Sequence, residues 1–288
     1  MLSDQHKDKN TLAPDFKNKG FFSGKNSRLR VIAITSGKGG VGKTNIVANL
    51  AFSLSRMGQR AVILDADLGL GNLDVLLGLR PNYNLNHVLR GEKSISEIII
   101  DGPEGIKILP AGSGVQEFTL INKEQKLMLL SQLGILREEF DLMLIDTAAG
   151  ISSNVMYFNI AAQEIIVIVS PEPTSITDAY ALMKVLSQRY KERYFKIIIN
   201  NVSSASEANG IFAHISNVTD RFLNVSLDYL GYIFTDRNFI YAVKSQRLIQ
   251  EIFPKSSASK CFDRLAYNLK NSFQPKAKGN IQFFWKNV

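Results

Sequence analysis

The chain has a single cysteine, Cys261, three histidines and one tryptophan in 288 residues, and no apolar run that approaches a membrane span. Each scarcity removes a class of protein. One cysteine makes no intrachain disulfide, which fits a reducing cytoplasm, and it supplies no cysteine pair for a bridged iron–sulfur cluster. A lone cysteine in a helical stretch reads as a small buried apolar side chain. His6, His87 and His214 are scattered without ligand spacing, so protein side chains alone give no metal site. A spanning helix needs about 20 consecutive apolar residues, and none occur. The first thirty residues are polar and charged without an apolar core, so no signal peptide is expected.

The formal charge of +8 is unevenly spread: residues 1–30 carry seven Lys/Arg against three Asp/Glu, and residues 244–288 carry nine against two. The middle is then 18 against 21, a net −3, which argues against a broad DNA-binding face. A chain of this length that is 45% apolar buries one substantial core. The organisation expected is a flexible basic arm over 1–27, one α/β domain over 28–274 and an amphipathic tail over 275–288.

The most specific pattern is Gly37-Lys38-Gly39-Gly40-Val41-Gly42-Lys43-Thr44, which completes G-x-x-x-x-G-K-[ST] and carries an extra lysine, Lys38, inside its first glycine. It follows the apolar run Val31–Ile34 and precedes Ile46–Phe52, whose spacing reads as a helix. Glycines let successive N–H groups turn inward on a phosphate, and the next helix aims its positive end at the same charge. Lys43 is expected on the β- and γ-phosphates and the Thr44 hydroxyl on Mg²⁺.

Two further apolar runs end in carboxylates: Ala61–Leu64 leads into Asp65 and Asp67, and Leu142–Ile145 leads into Asp146 and Gly150. In an open parallel sheet ligands sit outside the carboxyl ends of strands, so both clusters belong at the rim with the glycine loop. Such carboxylates suit water-mediated partners of Mg²⁺, and helix capping is their alternative use.

Strands are expected near Arg30–Thr35, Ala61–Leu64, Ile106–Leu109, Leu142–Ile145, Ile165–Val169, Lys196–Ile199 and Tyr229–Ile233. Helices are expected over Lys43–Met57, Lys123–Arg137, Thr174–Arg189, Glu207–Phe222, Arg237–Ser245 and Ser257–Asn271. The alternation predicts a predominantly parallel sheet with helices on both faces.

With the two-lysine loop and both acidic strand ends in place, the chain resembles the MinD/ParA family of P-loop ATPases. Pro171–Lys184, Arg221-Phe222-Leu223, Tyr229–Ile233, Ala242-Val243 and Pro254-Lys255-Ser256 resemble its FlhG (FleN/YlxH) branch, which governs flagellar number. The similarity runs from about residue 28 to 288. It implies a slow regulatory ATPase, dimeric with ATP and Mg²⁺, in which Lys38 reaches phosphate in the partner subunit. It implies that Asp67 orients or deprotonates the attacking water, that Asp65 and Asp146 support the metal through water, and that the Gly150 N–H senses the γ-phosphate. Asn200 and Asp236 are the adenine-side candidates, although Thr235 stands where relatives usually have proline.

The partners implied are a second copy, an FlhF-type GTPase, and flagellar switch (C-ring) proteins or a flagellar transcription regulator. The segment D-Q-A-x-x-L-R that serves the GTPase in some members is matched here only at Asp4-Gln5. The nearest rival is a cell-division-site or chromosome-partition ATPase of the same family. A metabolic ligase that activates a carboxylate with the same loop is a third reading. In the tail, Ile281, Phe284, Trp285 and Val288 fall at helical spacing with Lys276, Lys278 and Lys286 nearby. So short a helix is marginal alone and must fold onto an anionic membrane surface, a partner or its own core. The location expected is cytoplasmic, with the inner face of the cell membrane as the place of any attachment.

Overall fold

A computed structural model of the protein describes residues 29–112 and 121–272. The arm at 1–27 and the tail at 275–288 lie outside the described residues.

Eight strands form one sheet: β1 Arg30–Thr35, β2 Ala61–Ala66, β3 Ile100–Asp101, β4 Lys107–Leu109, β5 Leu142–Thr147, β6 Glu164–Val169, β7 Tyr194–Val202 and β8 Ser226–Phe234. Their order across the sheet is β3-β4-β2-β5-β1-β6-β7-β8. Only β3 runs antiparallel to its neighbour. The helices are α1 Lys43–Arg56, α2 Leu73–Leu76, α3 Leu85–Leu89, α4 Ile95–Ile98, α5 Lys123–Leu133, α6 Ser153–Ala161, α7 Pro173–Tyr190, α8 Ala205–Phe222, α9 Asn238–Lys244, α10 Ile249–Ile252 and α11 Ser257–Asn271.

β1, β2, β5 and β6 are buried along their whole length, as near-continuous apolar strands covered on both faces should be. Successive side chains point to opposite faces. Ile32 and Ile34 of β1 therefore pack with Leu50, Leu54, Phe262 and Leu265 of α1 and α11. Val31 and Ala33 instead join Leu129, Leu133 and Phe158 of α5 and α6. A third cluster sets Ile197 and Ile199 of β7 with Leu182, Leu186 and Ile215 of α7 and α8.

At the amino end of the sheet a buried ion network crosses four strands. The Arg30 guanidinium holds both Glu164 oxygens at 2.6 and 2.9 Å and donates to the Leu269 carbonyl at 2.7 Å. Lys196 lies 3.6 Å from Glu164 and 2.9 Å from Asp228. Burying Arg30, Glu164 and Lys196 is tolerable because each is paired, Lys196 also with the exposed Asp228.

Several sequence expectations change in detail. β2 and β5 continue through Ala66 and Thr147, so Asp65 and Asp146 lie inside the sheet and not on loops beyond it. The helix expected to reach Arg137 ends at Leu133 and tightens into a 3₁₀ turn at Gly134–Arg137. Helix α6, β3 and the one-turn helices α2, α3, α4 and α10 were not anticipated.

Candidate active site

β1 is central, and the loop Gly37–Thr44 crosses its carboxyl end before α1 starts at Lys43. Gly40 and Gly42 hold φ of 76° and 91°, a region that costs other residues dearly. Gly37 is required by contact, since a Cβ there would sit 2.2 Å from the carbonyl carbon of Asp178 in α7. On the far side Asn200 donates its side-chain amide to the Val41 carbonyl at 2.8 Å. The register of β7 against β8 slips beyond Asn200, where Asn201 takes φ 63°.

β2 and β5 flank the same rim and set Asp65 opposite Asp146 in register. Both are almost fully buried. Burial pushes the Asp65 carboxyl well above its usual range and the charge of Asp146 adds to this, against hydrogen bonds from the Asp67 and Leu73 N–H groups. Burial raises Asp146 to about 6, against a hydrogen bond from the Thr44 hydroxyl and the charge of Lys43. Desolvation lowers the Lys43 pKa, and Asp146 and Asp67 act against that. Asp146 Oδ1 is buried without a hydrogen-bond partner. That orphaned oxygen beside a threonine hydroxyl fits a hydrated hard cation, which keeps waters needing charged acceptors. Thr44, with Asp146 and Asp65 through water, would hold Mg²⁺.

Asp67 lies at the same rim, where its Oδ1 accepts the Leu70 N–H at 3.2 Å. Gly150, at φ 88°, donates its N–H to the Ser36 carbonyl at 2.9 Å, and the Ser36 hydroxyl binds the Lys38 carbonyl at 2.7 Å. Lys38 Nζ pairs with Glu172 and donates to Thr174 Oγ1 at 3.0 Å, at the start of α7. Gly39 has only ordinary contact space, toward Ala149.

The structure gives Asp236 a capping role. Its Oδ1 accepts the Asn238 N–H at 3.0 Å, and its Oδ2 accepts the Ser257 hydroxyl at 3.1 Å and the Ala258 N–H at 3.3 Å. Burial pushes its carboxyl up, but these donors and Ser256 more than offset it and hold it below the usual range. Thr235 donates its hydroxyl to Asn201 at 3.0 Å, which ties this wall to the end of β7.

Sequence reading gave no role to Ser36, Glu172, Thr174 or Asp178. Glu172 and Thr174 lie inside the branch-specific segment, so position was legible but the pairing with Lys38 was not. Ser36 receives the Gly150 N–H on its backbone carbonyl and Asp178 crowds Gly37 with its backbone, and a sequence displays neither contact.

A phosphate loop on the central strand, with acidic strand ends beside it, defines a nucleotide-binding P-loop protein. A family model described as an AAA domain matches residues 29–199. The antiactivator FleN of Pseudomonas aeruginosa is 42% identical over 257 residues, covering 89% of this chain and 92% of that protein. The flagellum site-determining protein YlxH of Helicobacter pylori is 33% identical over 276 residues, covering 94% and 92%. The septum site-determining protein MinD from Pyrococcus horikoshii, complexed with Mg-ADP, superposes with a TM-score of 0.68 at 25% identity, covering 84% of this chain and 96% of that one. The chain belongs to the MinD/ParA family of P-loop ATPases, in the branch that contains FleN and YlxH. Among the described residues no helix is long and apolar enough to cross a membrane.

Proposed function

We propose that the protein is an ATP-dependent dimeric switch that controls flagellar number and placement. The observation that carries this reading is near-full-length similarity to FleN and YlxH, joined to a second lysine, Lys38, on the phosphate loop. Phosphoryl transfer asks mainly for positioning and charge stabilisation. Loop N–H groups and Lys43 bind the phosphates, with Asn200 and the Asp236 wall on the adenine side. Mg²⁺, when bound, neutralises charge on the β- and γ-phosphates. Asp67 orients the attacking water and accepts its proton. To reach a γ-phosphate the Gly150 N–H leaves the Ser36 carbonyl, which makes residues 147–153 the nucleotide-sensing segment.

Lys38 leaves Glu172 to meet phosphate across a dimer, and charge supplied this way is worth about 10³ to 10⁵ in rate. Leu70 and Ile151, exposed beside the site, give a second copy apolar surface to cover. The partners that follow are an FlhF-type GTPase and C-ring proteins or a flagellar transcription regulator, with an anionic membrane as the target of the tail. A cell-division role is the second reading, favoured by the superposition on MinD.

Gel filtration with light scattering, with and without ATP and Mg²⁺, tests the switch. Asp67→Ala is expected to accumulate as ATP-bound dimer, with turnover down about 10²-fold or more. Lys38→Ala is expected to bind ATP as a monomer. Wild-type dimerisation and turnover in both variants would refute the assignments. Unchanged flagellar counts in cells lacking the gene, with misplaced septa, would favour the division reading.

A further inference from the structure

The strand that leads into the phosphate loop is tied to the nucleotide-sensing segment and the helix after it at three consecutive residues. As β5 ends, the Thr147 hydroxyl donates to the Ile34 carbonyl at 3.1 Å. The Gly150 N–H donates to the Ser36 carbonyl at 2.9 Å. Between these two, the Thr35 hydroxyl oxygen accepts an N–H of the Asn159 side chain at 3.3 Å, from the second turn of α6. The switch described above uses the Gly150 bond and leaves the Asn159 bond without a part.

Asn159 and Thr35 are both fully buried. Around Asn159 in α6, Tyr157, Phe158 and Ala161 belong to the apolar layer that packs on Val31 and Ala33 of β1. The Asn159 side-chain nitrogen also donates to the Val155 carbonyl of its own helix at 2.8 Å. A carbonyl only accepts, so this bond fixes which end of the amide carries the hydrogens. The other end, Oδ1, is buried without a hydrogen-bond partner. An unmatched buried acceptor costs stability, and a leucine of similar size would have no such group to satisfy. Packing therefore gives no reason for an amide at this place, whereas a bond from α6 to the end of the central strand does.

When the Gly150 N–H leaves Ser36 for a γ-phosphate, Thr147 holds the chain before it and Asn159 holds the chain after it. Without the second hold α6 is free to shift with the segment, and the N–H meets the phosphate in a spread of positions. Misplacement by about 1 Å is enough to slow a positioned reaction severely. We infer, on the reading that Gly150 senses the γ-phosphate, that Asn159 is a positioning residue of the ATPase: by holding Thr35 it fixes α6 to the phosphate-loop strand and confines the nucleotide-driven movement to residues 148–158.

The test compares the full wild-type chain with Asn159→Leu, Thr35→Val and the double variant, at protein concentrations that saturate ATP-dependent dimerisation. Thr35→Val is isosteric and removes the bond from its other end, so the outcome does not depend on how a leucine packs. Each single substitution is expected to lower kcat about threefold to tenfold, the worth of one hydrogen bond, with KM for ATP unchanged. The double variant is expected to lose no more than either single, because both remove the same bond. Thr35→Ser keeps the hydroxyl and is expected to retain the wild-type rate. Hydrogen exchange separates the hold from the sensing segment it serves. ATP is expected to change exchange at residues 148–158 in wild type, and in Thr35→Val the change should extend through the rest of α6. Wild-type kcat in both single variants, additive losses in the double variant, a Thr35→Ser rate as low as that of Thr35→Val, or the same exchange pattern in Thr35→Val as in wild type would each overturn the positioning role. No effect of ATP on exchange at Gly150 in wild type would remove the sensing reading, and the role of Asn159 with it.

Discussion

Asn200 holds the Val41 carbonyl at 2.8 Å, so a residue at the end of β7 braces a phosphate loop 159 positions earlier in the chain. The same amide lies where a Cβ on Gly42 would meet it at 2.7 Å, which leaves the loop one conformation on that side. Removing the brace by Asn200→Ala is expected to weaken nucleotide binding about threefold to tenfold, the worth of one hydrogen bond. Calorimetry with ATP and with GTP separates the two roles of Asn200. If it also contacts adenine, ATP affinity falls further than GTP affinity; equal losses would confine it to bracing the loop.

Asp146 supplies a pH prediction. Its folded-state pKa of about 6 lies above the ordinary carboxylate value of 3.8, so between them the native state binds more protons than the unfolded chain. Stability of the nucleotide-free protein therefore falls as pH rises through that window and stays low above it. Asp146→Asn is expected to flatten this slope and raise stability near pH 7, by up to roughly 3 kcal/mol for a carboxyl moved from 3.8 to about 6. Part of the slope survives, because burial shifts Asp65 in the same direction. The same variant should bind Mg-nucleotide less well. Thermal unfolding at about pH 5 and pH 7.5 checks the first effect, and a variant less stable than wild type at the higher pH would refute it.

Gly37→Ala addresses the contact with α7. Its Cβ would lie 2.2 Å from backbone atoms of Asp178, and a helix backbone cannot rotate aside as a side chain does. Overpacking of this kind costs about 1–3 kcal/mol, or several degrees of Tm. Differential scanning calorimetry of the nucleotide-free protein reads it. Because the collision separates the loop from α7, the pairing of Lys38 with Glu172 and Thr174 should loosen as well.

The central strands were legible because buried parallel strands read as apolar runs, and β1 was placed at its observed ends, Arg30 and Thr35. Helix α6 was not, because Asn154 through Phe158 are buried without interruption and leave no polar stripe to mark a helical period. α2 and α4 span four residues each, too few for any periodicity. In the site, the glycine loop and the strand-end carboxylates are chemistry written in side chains. The Gly150–Ser36 bond is not, since it joins two main-chain groups 114 positions apart whose meeting depends on the register of β1 with β5. Asp236 shows the converse: its acidic side chain was visible, but the two helix starts it serves come together only in the fold.

Arg30 gives the central strand a further consequence. Its carboxylate partner lies 134 residues later and its carbonyl partner 239 residues later. Synthesis delivers β1 first, yet both strands that flank it, β5 and β6, start more than 100 residues later. Such long-range pairings form late because the loops they close must be ordered first. A growing chain therefore contains the whole phosphate-loop sequence long before it has a phosphate loop, and nucleotide becomes a ligand only after β5, β6 and α11 have been made.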